Sequence, residues 1–83
     1  MIKQMYTVYD KKSETYSAPF VETTDGTAVR AIQDIIISNK EHPFARHCED
    51  YCLYRLGTWN ELTGTIDAIG REAVQELRNL VGE

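Results

Sequence analysis

The sequence predicts a small α+β domain. A mostly antiparallel sheet of about three to four strands is expected to pack one face against a central helix, with a second helix at the C-terminus. Two segments, 2–10 and 51–59, are rich in the β-branched, aromatic and aliphatic residues that suit strands. Between them, residues 26–38 repeat apolar side chains at helical spacing. The chain of 83 residues suffices for one domain, 1–83, with a modest core.

The segment from Ile2 to Asp10 predicts the first strand. Large side chains alternate onto both of its faces, so we expect this strand to be central or covered on its second side. The polar residues that follow it predict a turn. Residues 15–23 then predict an irregular arm or a short edge strand, because Pro19 lacks the N–H that a central ladder position requires.

The central helix is expected to run from about Gly26 to Ser38. Thr24 or Asp25 can accept hydrogen bonds from the free amides of its first turn. Five apolar residues recur at helical spacing and predict the buried stripe. They are Ala28, Ala31, Ile32, Ile35 and Ile36.

The second strong strand is predicted at 51–59, where regular alternation would place Tyr51, Arg55 and Trp59 on one face. Residues 60–64 predict a hairpin turn, after which a short return strand begins. Residues 69–83 predict the C-terminal helix from an apolar stripe at helical spacing. The stripe consists of Ile69, Ala73, Val74, Leu77, Leu80 and Val81.

The charge pattern argues against general nucleic-acid binding. The net charge is −4, and residues 61–83 carry two Arg against five acidic residues. Affinity for phosphate comes from clustered Lys and Arg, so any DNA contact must come from a local patch. No apolar run is long enough to span a membrane. The N-terminus lacks the apolar core of a signal peptide, so we expect the protein to stay in the compartment in which it is made.

Residues 42–57 contain both histidines and both cysteines of the sequence. The most specific chemical hypothesis for this stretch is a zinc site with the ligands His42, His47, Cys48 and Cys52. The spacing differs from that of structural zinc sites, and Cys52 is expected to face the core. Surface histidines with one exposed and one buried thiol are the simpler interpretation, which implies no metal and no cofactor. Because His47 and Cys48 are adjacent and lack an orienting partner, we expect no enzyme activity.

Single-stranded nucleic-acid binding is another hypothesis. Small sheets bind single strands by stacking bases on aromatic side chains that lie beside Lys or Arg. Tyr51, Arg55 and Trp59 have this composition, and Lys3 and Tyr9 extend the surface if the two strands are neighbours. The alternative is that these aromatic side chains belong to the core or to a dimer interface.

Several short motifs, taken in order, resemble one protein family. They are Tyr6-Thr-Val-Tyr-Asp-Lys-Lys-Ser-Glu-Thr-Tyr16, Pro19-Phe20, Asp25-Gly-Thr-Ala-Val-Arg-Ala31, His42-Pro-Phe44, Glu49-Asp-Tyr51, Leu53-Tyr54, Leu56-Gly-Thr-Trp59 and Gly64. The family is that of the small nonstructural proteins of microviruses, which are single-stranded DNA phages, especially the gokushovirus group. The resemblance covers residues 1–68 and leaves 69–83 without family support.

The resemblance implies a nonstructural accessory protein, sometimes described as DNA-binding, that acts in genome replication or packaging. It implies a location in the host bacterial cytoplasm without membrane association. The implied partners are single-stranded DNA and phage or host replication or packaging proteins. A homo-oligomer is also expected, because a second copy would add buried area to a small core.

For DNA contact, the sequence predicts basic side chains at phosphates and aromatic side chains under bases. The predicted phosphate contacts are Lys3, Lys11, Lys12, Arg30, Arg46 and Arg55. The predicted stacking residues are Tyr9, Tyr51 and Trp59. The alternative hypothesis is a non-enzymatic, homo-oligomeric protein-interaction module that targets a host or phage protein without contacting DNA.

Overall fold

A computed structural model describes residues 2–81. The strands are β1 (Ile2–Asp10), β2 (Thr15–Tyr16), β3 (Phe20–Glu22), β4 (Tyr51–Asn60) and β5 (Thr65–Glu76). The helices are α1 (Asp25–Ser38) and α2 (Pro43–Arg46), and 3₁₀ turns lie at Cys48–Asp50 and Leu77–Asn79. Within this part of the chain, no helix has the length and apolar content that crossing a membrane requires.

The sheet is antiparallel and larger than the sequence predicts. Its strand order is β2-β1-β4-β5, and β3 also pairs with β1, so the sheet has five strands rather than three to four. The prediction that residues 15–23 form edge structure is confirmed. In that segment, β2 and β3 pair with β1 on either side of Pro19, which lies outside the ladder.

The predicted C-terminal helix at 69–83 is wrong for the residues that the structure describes. The chain instead continues the hairpin as β5, and a 3₁₀ turn follows at Leu77–Asn79. Gly70 has a φ of 83°, a left-handed conformation that a regular helix does not contain. Leu77 and Leu80 are both buried, so their spacing reflects one short turn against the core. The last two residues of the predicted helix lie outside the described part.

The core lies between α1 and one face of the sheet. Thr24 caps α1 by accepting a hydrogen bond from the Thr27 amide, which confirms the predicted start of the helix. Burial also confirms the centre of the predicted apolar stripe. The buried core residues are Ala28, Ile32 and Ile36 of α1, Tyr6, Val8 and Leu53 of the sheet, and Leu77 and Leu80 after it. The helix therefore covers one sheet face only.

A β-bulge in β4 interrupts the regular alternation of its side chains. Met5 of β1 lies opposite Gly57, whereas the next residue, Tyr6, lies opposite Arg55. Leu56 is therefore an extra residue in β4 with no counterpart on β1. Side chains on the two sides of the bulge consequently follow opposite alternation.

Because of the bulge, side chains of β4 lie on different faces of the sheet from those that the sequence predicts. Tyr51 and Arg55 lie on the face that α1 covers, because they pair with Asp10 and Tyr6. Trp59 lies on the other face, because it pairs with Lys3. The prediction that Tyr51, Arg55 and Trp59 share one face is wrong, since an inserted residue shifts a period-two pattern by one position.

A charged junction connects the start of α1 to three strands. Tyr6 of β1 donates a hydrogen bond to Asp25 Oδ1 at 2.5 Å. Arg55 of β4 donates to both Asp25 carboxylate oxygens at 3.1 and 2.9 Å, and also to Glu72 of β5. Burial, together with the bond to Asp25, raises the pKa of the Tyr6 hydroxyl, which therefore remains a donor. We call these four side chains the Asp25 junction.

Substitution of Gly57 tests the pairing of β4 with β5. A Cβ at position 57 would overlap the backbone carbonyl of Asp67, which cannot move without breaking the ladder. Gly57→Ala should therefore lower the free energy of unfolding by about 3 kcal/mol or more. Urea denaturation followed by circular dichroism measures this loss.

The matched control is Gly26→Ala in the first turn of α1. A Cβ there lies 3.7 Å from Thr24 Oγ1, an ordinary contact, and Ala favours the helix by up to about 1 kcal/mol. This variant should be as stable as the parent or more so. Equal stability of the two variants would contradict the close approach of β4 and β5 at Gly57.

Candidate nucleic-acid interface

The sheet face opposite α1, which we call the open face, is rich in aromatic side chains. The strand pairing identifies the residues of the open face, because directly paired residues point to the same side of the sheet. They are Lys3, Met5, Thr7 and Tyr9 of β1, Tyr16 of β2, Val21 of β3, Cys52, Tyr54, Leu56 and Trp59 of β4, and Ile66, Ala68, Arg71, Ala73 and Glu76 of β5. Tyr16 is 44% exposed, and Tyr9, Tyr54 and Trp59 are partly exposed. A ligand can therefore reach all four rings.

Arg71 lies over three tyrosine rings near one end of the open face. Its guanidinium carbon is 5.9 Å from the ring centre of Tyr9, 5.7 Å from that of Tyr16 and 5.2 Å from that of Tyr54. The ring centres of Tyr9 and Tyr16 are 4.5 Å apart, and Arg71 also donates a hydrogen bond to the Tyr16 hydroxyl. These contacts orient the exposed guanidinium and leave further N–H donors for an anion. We call this group the Arg71 cluster.

Trp59 lies toward the other end of the open face. It pairs with Lys3 of β1 and with Ile66 of β5. Lys3 also forms an ion pair with Glu61 at 3.6 Å. A strand advances about 3.3 Å per residue, so the six positions from Lys3 to Tyr9 separate Trp59 from Tyr9, the most distant tyrosine of the Arg71 cluster, by about 20 Å. The open face can therefore accommodate several nucleotides of an extended single strand.

The structure brings together part of the predicted DNA-contact set. Lys3, Tyr9 and Trp59 share the open face. Lys11 and Lys12 follow β1 in an exposed turn at the border of this face. Lys11 is paired there with Glu76 at 2.8 Å, which neutralises part of its charge. DNA contact by these five side chains stays a prediction.

The other four predicted contacts lie away from the open face. Arg55 belongs to the Asp25 junction, and the ring of Tyr51 lies 5.0 Å from that of Phe44 in α2. Arg30 is exposed on α1, and Arg46 ends α2. These four side chains do not form one surface with the Arg71 cluster.

The sequence interpretation missed Arg71, Tyr16 and Tyr54. Arg71 was placed in the predicted C-terminal helix, and Tyr16 in an irregular arm. The signals that indicate a strand are the alternation of Ile66 and Ala68 after the Gly64 turn and the second glycine, Gly70, which is typical of a bulge. Tyr54 was assigned to the face opposite Trp59, and only the bulge places both on one side.

The four side chains of the zinc hypothesis do not form a ligand set in the part of the chain that the structure describes. His42 accepts a hydrogen bond from the Phe44 amide at its Nδ1, 3.1 Å away, and so caps α2. Cys52 is buried on β4, whereas Cys48 is partly exposed and His47 is exposed. Among residues 2–81, no group of three or more His, Cys, Asp or Glu side chains has the geometry to hold a metal ion. The geometry therefore gives no support to the zinc alternative.

A family model described as phage ORF5 protein matches residues 3–80. The chain belongs to the phage ORF5 protein family. The match includes all of β5, and with it Arg71 and every residue named on the open face. The expectation of a bacteriophage protein is thereby confirmed at the level of this family. Neither the curated proteins nor the solved structures contain a significant match to the chain.

Thiol labelling tests the assigned positions of the two cysteines in this phage ORF5 family member. Burial, with a further contribution from Glu76, raises the pKa of the Cys52 thiol, which therefore stays protonated and shielded. A disulfide reagent at pH 8 should modify Cys48 quickly and Cys52 only on unfolding. In the Cys48→Ser variant, rapid labelling should disappear under native conditions and return in urea. Fast native labelling of that variant would contradict the placement of Cys52.

Proposed function

We propose that this phage accessory protein binds single-stranded DNA through the open face of its sheet. The observation that carries the proposal is the Arg71 cluster, in which a cation is held among three tyrosines on a face that no helix within residues 2–81 covers. Aromatic rings stack with bases of any sequence, and an oriented Arg contacts phosphate. The open face combines both chemistries on one surface.

The acidic character of the chain does not oppose this proposal locally. Asp25 and Glu72 bind Arg55 on the opposite side of the sheet. Glu76 lies on the open face, where it is paired with Lys11, and Glu61 beside this face is paired with Lys3. Binding would rest on stacking more than on charge, with about two or three phosphate contacts. For single strands, this number gives a slope of log K against log salt of about −2.

The biological role within the proposal is genome replication or packaging of a small single-stranded DNA phage, in the host bacterial cytoplasm. Membership of a phage family and the motifs shared with microvirus nonstructural proteins support it. We propose a binding protein rather than an enzyme. The Cys48 thiol contacts the Glu49 carboxylate at 3.8 Å rather than an imidazole or an amine, the bases that commonly activate a nucleophile.

Replacement of Arg71 tests the proposed interface. Arg71→Ala removes an exposed side chain whose stacking on tyrosine contributes only about 0.5–1 kcal/mol, so the fold should persist. The affinity for a fluorescent oligodeoxythymidylate should fall about tenfold, and the salt slope should become shallower by about 0.7 because one phosphate contact is lost. Fluorescence anisotropy at two salt concentrations measures both quantities.

Arg30→Ala is the matched control, because Arg30 is an exposed arginine on α1 and lies on the other side of the molecule. This variant should bind the oligonucleotide as the parent does. Equal losses in both variants would show that only total charge matters and would contradict binding at the open face. Retained affinity in Arg71→Ala would contradict it as well.

A protein-interaction module is a second candidate function, favoured by apolar side chains around the β4–β5 hairpin. Ile2, Leu62, Ile66 and Ile69 are 55%, 83%, 58% and 46% exposed. A second copy or another protein that covered them would gain from their burial. Light scattering distinguishes the candidates: an oligomer that ignores oligonucleotide favours the module, whereas a mass increase on adding oligonucleotide favours DNA binding.

A further inference from the structure

A cavity of about 490 Å³ opens beside the Arg71 cluster. It is open to solvent and is lined by Thr7, Tyr16, Ser17 and Pro19 together with Leu56, Gly70 and Arg71. Arg71 connects the two groups through its hydrogen bond to the Tyr16 hydroxyl. The cavity lies on the open face and is separate from the apolar crevice between α1 and the arm.

Irregularities in two neighbouring strands produce this cavity. Leu56 is the bulged residue of β4, and on β5 the register passes from Ala68 directly to Glu72. The intervening residues 69–71 have no partner on β4, and Gly70 turns there with a φ of 83°. Because bulges interrupt pairing, the extra residue of β4 and the unpaired residues of β5 lie at the same level of the sheet, beside the cavity.

The lining has the chemistry of a pocket for a flat, largely apolar ring. Leu56, Pro19 and the ring of Tyr16 offer apolar surfaces. The Thr7 hydroxyl already donates to the Ser17 carbonyl at 2.7 Å, so it adds little polarity. Among the lining residues that the structure describes, Arg71 is the charged one, and it is a cation at the rim.

We infer that this cavity is a nucleotide subsite that takes one unstacked nucleobase of a single strand, while Arg71 contacts the adjoining phosphate. The inference rests on the proposed function and specifies it. An aromatic and apolar lining favours a base, and the cationic rim complements the phosphate that every nucleotide carries. Its volume accommodates one nucleotide.

The subsite predicts that the protein binds single strands more tightly than duplex. A base can enter the cavity only when it leaves its stack and its pairing partner, which costs a few kcal/mol in a duplex and far less in a single strand. Duplex DNA could offer only its phosphates to Arg71 and the flanking lysines. Affinity for single strands should therefore exceed that for duplex of the same length.

Mononucleotides test the subsite independently of strand binding. In ¹⁵N-labelled protein, dAMP or dTMP should shift the amides of Tyr16, Leu56 and Gly70 in a saturable manner. Deoxyribose 5-phosphate and inorganic phosphate should leave Leu56 unchanged and affect only the surroundings of Arg71. Identical shifts with phosphate alone, or no shifts at the cavity, would overturn the subsite.

A variant that fills the cavity provides the second measurement. Leu56→Trp places a larger side chain in the lining and should weaken dAMP binding at least fivefold. Leu62→Trp, at the exposed hairpin tip, is the matched control and should bind as the parent does. Tyr16→Ala removes part of the lining at an exposed position and should also weaken binding, which keeps the test valid if Leu56→Trp fails to fold. Unchanged dAMP affinity in a folded Leu56→Trp or in Tyr16→Ala would overturn the subsite.

The subsite and the proposed function fail in different ways. Oligonucleotide binding that depends on Arg71, without base-specific shifts at the cavity, refutes the subsite and retains the function. Specific mononucleotide binding without oligonucleotide binding retains the subsite and refutes the function.

Discussion

The pairing register around Leu56 and Gly57 is the constraint on which the rest of the structure depends. Gly57 lies so close to the backbone of β5 that only glycine fits, and the extra residue Leu56 precedes it. This arrangement directs Arg55 to the helix and Trp59 to the opposite side. A regular strand would bring the two together and would leave Asp25 of α1 without its guanidinium partner.

The Asp25 junction fixes α1 over one face of the sheet. Its bonds combine an ion pair with the hydroxyl of buried Tyr6, whose hydrogen bond to the Asp25 carboxylate contributes about 1.5–3 kcal/mol. Arg55 is only partly buried, so solvent weakens its share of this stabilisation. With α1 held on one side, the tyrosines and Trp59 remain accessible on the other. The arrangement that stabilises the helix thus also leaves a surface for a ligand.

Local sequence patterns predicted the elements that depend on local interactions. The limits of α1, its Thr24 cap, the β4–β5 turn and the edge role of residues 15–23 all follow from residue type and spacing. The C-terminal segment could not be assigned in this way. Leu77 and Leu80 have the spacing of a helix, but pairing of β5 with β4, a tertiary interaction, determines its structure.

The site was predicted less completely than the fold, for a related physical reason. An inserted residue in β4 moved Trp59 away from Tyr51 and Arg55, and no periodic pattern reveals where a bulge falls. The Arg71 cluster joins residues 55 positions apart in the chain, so only the assembled sheet shows it. Lys3, Tyr9 and Trp59 of the predicted set lie on the open face, and composition alone selected them as aromatic and basic side chains on strands. DNA contact by these side chains stays a prediction.

The central claim is that single-stranded DNA lies on the open face. Photocrosslinking with an oligonucleotide that carries 5-iododeoxyuridine tests this claim most directly, because the activated base reacts with aromatic side chains that it stacks on. Mass spectrometry should find the crosslinks at Tyr9, Tyr16, Tyr54 or Trp59. Crosslinks confined to Phe44 and Tyr51 on the helix side, or none at a saturating concentration of oligonucleotide, would contradict it.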